Sequence, residues 1–176
     1  NDFNTGDNSG IGFFQFTTSL KGLRLRCSAA KGYLNPVKKR SNLKIVVKAH
    51  VQKINFEGKK AIGVNYYTEN KLNTASANKE VILSAGSIGS PHILQVSGIG
   101  DSSKLKKYNI STIHELKGVG KNLQDHLMFR PIYKVKNLKS LNGKINSLLG
   151  NALIGLEYIF KQSGPMTMGA SQVCMF

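Results

Sequence analysis

The sequence predicts an α/β fold, on three observations. Segments that alternate apolar and polar residues, as half-buried strands do, are interspersed with segments that carry apolar residues at helical spacing. A continuous apolar segment, Val81 to Gly86, ends in small residues and leads directly into a predicted helix. The chain has 176 residues, of which 40% are hydrophobic, so it is long and apolar enough to bury a core.

The first part of the chain predicts loops, one helix and one strand. The opening through Ser19 is rich in Gly and Asn, which favours loops that lead into a short strand. Ser28 to Leu34 predicts a two-turn helix with a Ser cap. It ends at Asn35-Pro36, because proline cannot continue the hydrogen-bond pattern of a helix. Leu43 to Ala49 then predicts a strand.

A β-hairpin and a strand-to-helix unit follow. Val51 to Glu57 and Ala61 to Tyr67 alternate apolar and polar residues around a turn that contains Gly58. After a polar stretch, the strand Val81 to Gly86 leads into a helix for which Ser90 is the predicted cap and the following Pro91 the first residue.

The last part of the chain predicts further short elements around a glycine-containing loop. In chain order these are a helix at Ser102 to Tyr108, a strand at Thr112 to Leu116, the loop Gly118 to His126, a strand at Met128 to Val135 and a long helix at Leu141 to Phe160. The long helix is predicted because its apolar residues recur at helical spacing.

Composition sets the expected compartment. Cys27 and Cys174 lie far apart and in no metal-ligand spacing, which favours neither a disulfide framework nor a zinc site, so we expect a reducing, cytoplasmic location.

No apolar run reaches the roughly 18 to 20 residues that cross a bilayer, so no transmembrane helix is expected. The polar start without an initiator Met or a signal-peptide pattern leads us to expect an internal segment of a longer chain.

The charge leaves a second function class open. The 25 Lys and Arg against 9 Asp and Glu give a formal net charge of +16, which is typical of modules that bind nucleic acid or anionic membranes. The basic residues are mainly Lys and are scattered along the chain, whereas phosphates and guanines are read bidentately by Arg. We therefore expect no specific nucleic-acid partner, and a basic binding module remains the alternative.

Ser84 to Gly100 is the segment that carries most information about chemistry. A strand that ends in Ala-Gly and enters a helix lets backbone amides approach a phosphate or a ribose. The same pattern also occurs where a strand and a helix simply pack closely without a ligand.

The spacing inside this segment resembles the second signature of the glucose-methanol-choline (GMC) oxidoreductases. The matching residues are Gly86-Ser87-x-x-Ser90-Pro91-x-Ile93-Leu94-x-x-Ser97-Gly98-Ile99-Gly100. Other matching segments flank it in the family's order, namely Ser28-Ala29-Ala30, Tyr33-Leu34-x-Pro36, Arg40-x-Asn42-Leu43, Ala61-x-Gly63-Val64, Lys79 to Gly86 and Gly118 to His126. The resemblance spans nearly the whole chain and favours the choline dehydrogenase-like bacterial members.

The resemblance implies both an architecture and an activity. It implies part of an FAD/NAD(P)-binding Rossmann-like domain joined to part of an α+β substrate-binding domain. Residues 1–29 would be a segment of the substrate domain, 30–128 the later half of the FAD-binding domain and 129–176 the start of a further substrate-domain segment. Family members transfer a hydride from the CH–OH group of an alcohol to the flavin of FAD.

The resemblance also implies roles for four residues. Val51 takes the position whose backbone contacts the FAD adenine, and Ser84, Ala85 and Gly86 would close the ADP side of the cofactor. Without the family, a Val at the start of a half-buried strand is more simply a core residue.

No catalytic residue is assigned within the chain. The family's catalytic His is expected beyond Phe176, and no metal site is expected. His126, next to Asp125, is the one histidine that invites a catalytic interpretation, but neighbouring strand residues point to opposite faces, which favours a structural role.

The implied partners are a small alcohol, choline or another primary alcohol, and an electron acceptor other than oxygen. Because choline dehydrogenase-like proteins associate with membranes, we expect the protein in the cytoplasm, either free or at a membrane surface. A catalytically inactive structural fragment is a third interpretation of the same resemblance.

Overall fold

The computed structural model describes residues 5–6, 9–19, 22, 25–137, 140–169 and 172–175. The chain divides into two compact units, one formed by Asn1–Lys44 with Pro131–Phe176 and the other by Ile45–Arg130. In chain order the strands and helices are β1 (Ile11–Phe13), β2 (His50–Glu57), β3 (Lys60–Thr68), β4 (Lys71–Ser76), α1 (Gly86–Val96), β5 (Ile99–Gly100), α2 (Ser102–Lys107), β6 (His114–Glu115), α3 (Leu141–Ile145), α4 (Leu148–Lys161) and β7 (Val173–Met175). The predicted mixture of strands and helices is confirmed.

The two-segment unit pairs strands from the two ends of the chain. β1 and β7 are antiparallel, with Ile11 opposite Met175 and Phe13 opposite Val173. The predicted helix near Ser28 is confirmed as a short, wide turn at Ala30–Leu34, in which the Asn35 N–H donates to the Ala30 carbonyl over 2.8 Å. The turn ends before Pro36, as predicted.

The prediction of one long helix at Leu141 to Phe160 is wrong, because two helices occupy it. The chain leaves α3 at Asn146, and the Ser147 hydroxyl accepts the Gly150 N–H over 3.3 Å at the start of α4. Asn151 donates its side-chain amide back to the Ile145 carbonyl over 2.9 Å. Apolar spacing predicted the helical segments, but local Asn and Ser hydrogen bonds end the first helix and start the second.

The unit at residues 45–130 is built on a three-stranded antiparallel sheet in the order β2-β3-β4. The predicted hairpin is confirmed, with Ile54 opposite Val64 and Gly58 at a φ of 57° in the turn. β4 was not predicted, because its sequence is mostly polar. Its turn uses Glu69 and Asn70 with φ values of 50° and 62°, the positive region that two-residue hairpin turns require.

Three predicted strands are wrong. Leu43–Ala49, Val81–Gly86 and Met128–Val135 are not regular strands, and Gly86 already belongs to α1. In the first of them, Lys48 adopts a φ of 52°, which interrupts an extended backbone. A strand is stabilised by the ladder of a neighbour, and among the described residues no strand pairs with any of these three segments.

α1 begins earlier than predicted. Its first residue is Gly86 and its N-cap is Ala85, so Pro91 is the sixth residue and not the first. Ser90 still acts as an acceptor, since its hydroxyl receives the Ala85 N–H over 3.0 Å, but it does so from inside the helix.

The elements after α1 are short. α2 confirms the predicted helix, and its Leu105 is 3% exposed in the core of this unit. The predicted strand at Thr112 to Leu116 is reduced to β6, which pairs in parallel with β5. Within the described part of the chain, no helix combines the length and apolar character that crossing a membrane requires.

Candidate functional site

The four sequence-predicted binding residues all lie in the unit at residues 45–130. Val51 is half-buried in β2, while Ser84, Ala85 and Gly86 are exposed at the approach to α1 and on its first residue. α1 packs against β2. The three consecutive residues therefore share one exposed helix start, and Val51 belongs to the strand that the same helix contacts.

The start of α1 is exposed. Its N-cap residue Ala85 forms no side-chain capping hydrogen bond, the Ala85 N–H donates to the Ser90 hydroxyl over 3.0 Å, and the first turn contains no acidic residue. Gly86 has a φ of 81°, and a Cβ placed on it would meet nothing within 4 Å. The free N–H groups and the partial positive charge of a helix start favour an anionic group such as a phosphate, and Gly86 leaves the backbone accessible to it.

Val51 lies on an edge strand. β2 pairs with β3 on one side only, and among the described residues no strand covers its outer edge. The register shifts between Val51 and Lys53, which is a β-bulge, and Val51 stands opposite Tyr66. An edge strand offers backbone donors and acceptors, and a bulge changes their direction, so this edge can bind the polar edge of a planar base.

Ser97 joins α1 to β2 and was not singled out from the sequence. It is 6% exposed. Its hydroxyl accepts the N–H of Ile54 over 2.8 Å and donates to the carbonyl of Ile93 over 2.5 Å. The available signal in the sequence was the Ser97-Gly98 pair of the signature. In the structure Gly98 adopts a φ of 90°, a conformation that favours glycine.

Gln95 holds the glycine-containing loop. Its side-chain amide donates to the Val119 carbonyl over 3.1 Å, and a Cβ on Gly120 would lie 2.7 Å from that same Nε2. Gln95 lines an open cleft of about 730 Å³ between α1 and the loop, together with Ser87 and His92 of the helix and Lys121 of the loop. Gln95, in the second half of the signature, therefore holds the glycine-containing loop next to α1.

Asp101 caps α2 and carries the perturbed carboxyl group of this unit. Its carboxylate accepts hydrogen bonds from the Ser103 hydroxyl over 2.6 Å and from the Ser103 and Lys104 N–H groups. Lys121 forms an ion pair with it over 3.4 Å. The Ser103 hydroxyl, followed by the Lys104 N–H and Lys121, lowers the pKa of Asp101 to about 2. This carboxylate stabilises the helix start and the loop.

Asp125 and His126 do not form a side-chain pair. The Asp125 carboxylate accepts the backbone N–H of His126 over 2.7 Å, and both residues are exposed. Among the described residues, no group of three His, Cys, Asp or Glu side chains lies close enough to hold a metal ion.

Comparisons with known proteins extend over nearly the whole chain. The sequence model of a family described as "GMC oxidoreductase" matches residues 1–128. The "Oxygen-dependent choline dehydrogenase" of Pectobacterium atrosepticum is 42% identical over 170 residues, which cover 97% of this chain and 29% of the relative. The "Alcohol dehydrogenase [acceptor]" of Pseudomonas putida is 38% identical over 175 residues, which cover 97% of this chain and 31% of the relative. The chain thus spans about a third or less of these curated relatives.

Solved structures of oxidoreductases also superpose on nearly the whole chain. An FAD-dependent oxidoreductase from Chaetomium thermophilum superposes with a TM-score of 0.81 at 29% identity, over 96% of this chain and 30% of that one. A fungal aryl-alcohol oxidase superposes with a TM-score of 0.75 at 27% identity, over 97% of this chain and 30% of that one.

Proposed function

The chain belongs to the GMC oxidoreductase family, and we propose that it forms part of an FAD-dependent oxidoreductase that acts on the CH–OH group of an alcohol. The fold class predicted from the sequence, a partial FAD-binding Rossmann-like domain with part of an α+β substrate domain, agrees with the solved structures that it resembles. The observation that carries the proposal is the start of α1, where the family signature folds into an exposed helix N-terminus with no acidic residue in its first turn.

The residues of this site fit the ADP half of FAD. The first turn of α1 contains no acidic residue, the first N–H groups of a helix have no acceptor within the helix, and a Cβ on Gly86 would meet nothing within 4 Å. Val51 lies at an edge of the sheet that no other described strand pairs with, and the backbone of such an edge can bind the adenine. Ser84, Ala85 and Gly86 are thus proposed to hold the ADP side, and Val51 the base.

The chemistry that FAD supplies when bound is the uptake of a hydride from the alcohol carbon by the flavin ring. The residues of this chain bind and orient the cofactor. None of them is proposed as the base that takes the alcohol proton, and the exposed His126, whose backbone N–H bonds Asp125, is proposed as structural. The catalytic His of the family is proposed to lie outside the 176 residues.

We propose choline or another primary alcohol as the substrate, which is supported by the names of the curated relatives. These names differ on the electron acceptor, since the Pectobacterium atrosepticum relative is called oxygen-dependent and the Pseudomonas putida relative carries the general term acceptor. The sequence-based proposal is an acceptor other than oxygen. It predicts that turnover in air forms little hydrogen peroxide and that an added quinone raises the rate.

The domain roles are also proposed. Residues 30–128 are assigned to the later half of the FAD-binding domain, and 1–29 and 129–176 to the substrate domain. The location proposed is the cytoplasm, free or at a membrane surface, and the low cysteine content supports a reducing compartment.

The test is the flavin content of the complete protein. We expect it to purify yellow, and denaturation should release FAD at about one molecule per chain, identified by its mass. A colourless protein that takes up no added FAD would contradict the proposal.

A further inference from the structure

We propose that Ser97 is a positioning residue for the cofactor, because its hydroxyl fixes the strand that carries Val51 against helix α1. This role rests on the proposed function, in which Val51 binds the adenine of FAD. This role requires no contact of Ser97 with the base or with a reacting atom. It acts through β2.

The geometry gives Ser97 two hydrogen bonds in opposite directions. Its Oγ accepts the Ile54 N–H over 2.8 Å and donates its proton to the Ile93 carbonyl over 2.5 Å. Ile54 and Ser97 are both 6% exposed, so water does not readily replace either bond. A hydroxyl group both donates and accepts, and an alanine at this position would do neither.

Ser97 is itself fixed from both sides. Its backbone N–H lies 3.1 Å from the carbonyls of Ile93 and Leu94, which ends α1. The next residue, Gly98, has a φ of 90°, and a Cβ on it would lie 2.6 Å from the Ser111 carbonyl oxygen. The position of the hydroxyl is therefore set by the helix and by the close chain passage after it.

β2 needs such an anchor on its outer edge. β3 binds one side of β2, and the Ile54 N–H points away from β3 to reach Ser97. Val51 lies three residues before Ile54, on the other side of the register shift at Gln52. The hydrogen bond between Ile54 and Ser97 holds β2 close to this bulge, and it thereby fixes the position of the Val51 backbone.

The test uses the complete protein, with its flavin removed and then titrated with FAD and, separately, with ADP. We expect Ser97→Ala to weaken both affinities by about tenfold, which corresponds to about 1.4 kcal/mol. At saturation, the visible circular dichroism of the bound flavin should equal that of the wild type, because the flavin ring lies at the other end of the cofactor. Ser97→Thr, which keeps the hydroxyl, should recover most of the ADP affinity.

The matched control is Ser103→Ala. It removes a hydroxyl that donates over 2.6 Å to Asp101 in the same unit, but it does not touch β2. It should leave the affinities for FAD and ADP unchanged. If Ser97→Ala does not fold, Ser97→Cys keeps the size of the side chain with a weaker acceptor, and it should lower the ADP affinity in the same direction.

An unchanged ADP affinity in the folded Ser97→Ala or Ser97→Cys protein would overturn this role while leaving the proposed function intact. The role would also be overturned if Ser97→Ala altered the flavin spectrum and Ser103→Ala lost as much FAD and ADP affinity as Ser97→Ala did. A general loss of rigidity would then explain the effect. A wild-type protein that binds neither FAD nor ADP would instead overturn the proposed function, and the positioning role with it.

Discussion

At the scale of the residue, the GMC signature divides into residues that leave the backbone accessible and residues that hold the scaffold. Gly86 exposes the helix start. Ser97 and Gln95 use side-chain hydrogen bonds to fix β2 and the glycine-containing loop. Gly98 allows the chain to pass close to Ser111. The proposed cofactor contact and the packing around it therefore lie in one short segment.

Gly98→Ala should destabilise the protein by about 2 to 4 kcal/mol, because a Cβ at a φ of 90° is strained and would lie 2.6 Å from the Ser111 carbonyl oxygen. The measurement is the free energy of unfolding in urea. Gly118→Ala is the control, since a Cβ there meets nothing within 4 Å. Equal stability of the two variants would show that the close passage is not a constraint.

Val51→Pro should release FAD from the complete protein, because proline removes a backbone N–H and breaks the strand ladder at the edge. Val51→Ala removes most of the side chain and keeps the backbone donor, so it should retain FAD. The ratio of FAD absorbance to protein absorbance after gel filtration measures both. Retention of FAD by a folded Val51→Pro variant would count against the assignment of Val51 to the adenine.

Asp101 gives a pH dependence with a defined sign. Its pKa is lowered to about 2 from an ordinary value of 3.8, so its stabilising effect is fully present above the ordinary value and is lost as the pH falls towards 2. The stability difference between wild type and Asp101→Asn should therefore be constant at neutral pH and shrink between about pH 4 and pH 2. Thermal unfolding of both proteins across this range measures it, and a difference that grows at low pH would contradict the structure.

At the scale of the element, the sequence predicted those parts whose signals are local. The hairpin follows from alternation around Gly58, and the helix predicted at Ser102 to Tyr108 is present as α2. The apolar segment Val81 to Gly86 was predicted as a strand, but a strand depends on a paired neighbour, which the local sequence does not contain. β4 was not predicted because its segment is mostly polar, and it forms a strand because its backbone pairs with that of β3.

The position of the candidate site residues in the fold was predicted in part. Ser84, Ala85 and Gly86 were predicted at the end of a strand that enters a helix, and they lie at the start of α1; their contact with FAD stays a prediction. The hydrogen bond between Ser97 and Ile54 joins residues 43 positions apart, and no periodicity or spacing rule predicts it. Long-range side-chain contacts of this kind need the three-dimensional structure.

At the scale of the whole molecule, the chain carries a charge of +16 and spans 29% to 31% of the length of the relatives described above. Its basic residues fall on several separate segments, including the Lys59-Lys60 turn and the last turn of α2. A nucleic-acid interface needs a compact basic stripe that neutralises several phosphates. The charge is therefore assigned to the solvated surface.

DNA binding by the protein should be weak, independent of sequence and lost as the salt concentration rises, and added DNA should not change the rate of alcohol oxidation. Fluorescence anisotropy with two unrelated duplexes at low and physiological salt measures the binding. Tight binding of one duplex at physiological salt would revive the basic binding module as the function.

The most direct measurement of the central claim is an anaerobic titration of the complete, FAD-loaded protein with choline and with a series of primary alcohols, followed through the visible absorbance of the flavin. The proposed function predicts that at least one of these alcohols bleaches the flavin completely, with one equivalent of aldehyde formed per flavin reduced. A flavin that stays oxidised with every alcohol, in a protein that dithionite reduces normally, would contradict it.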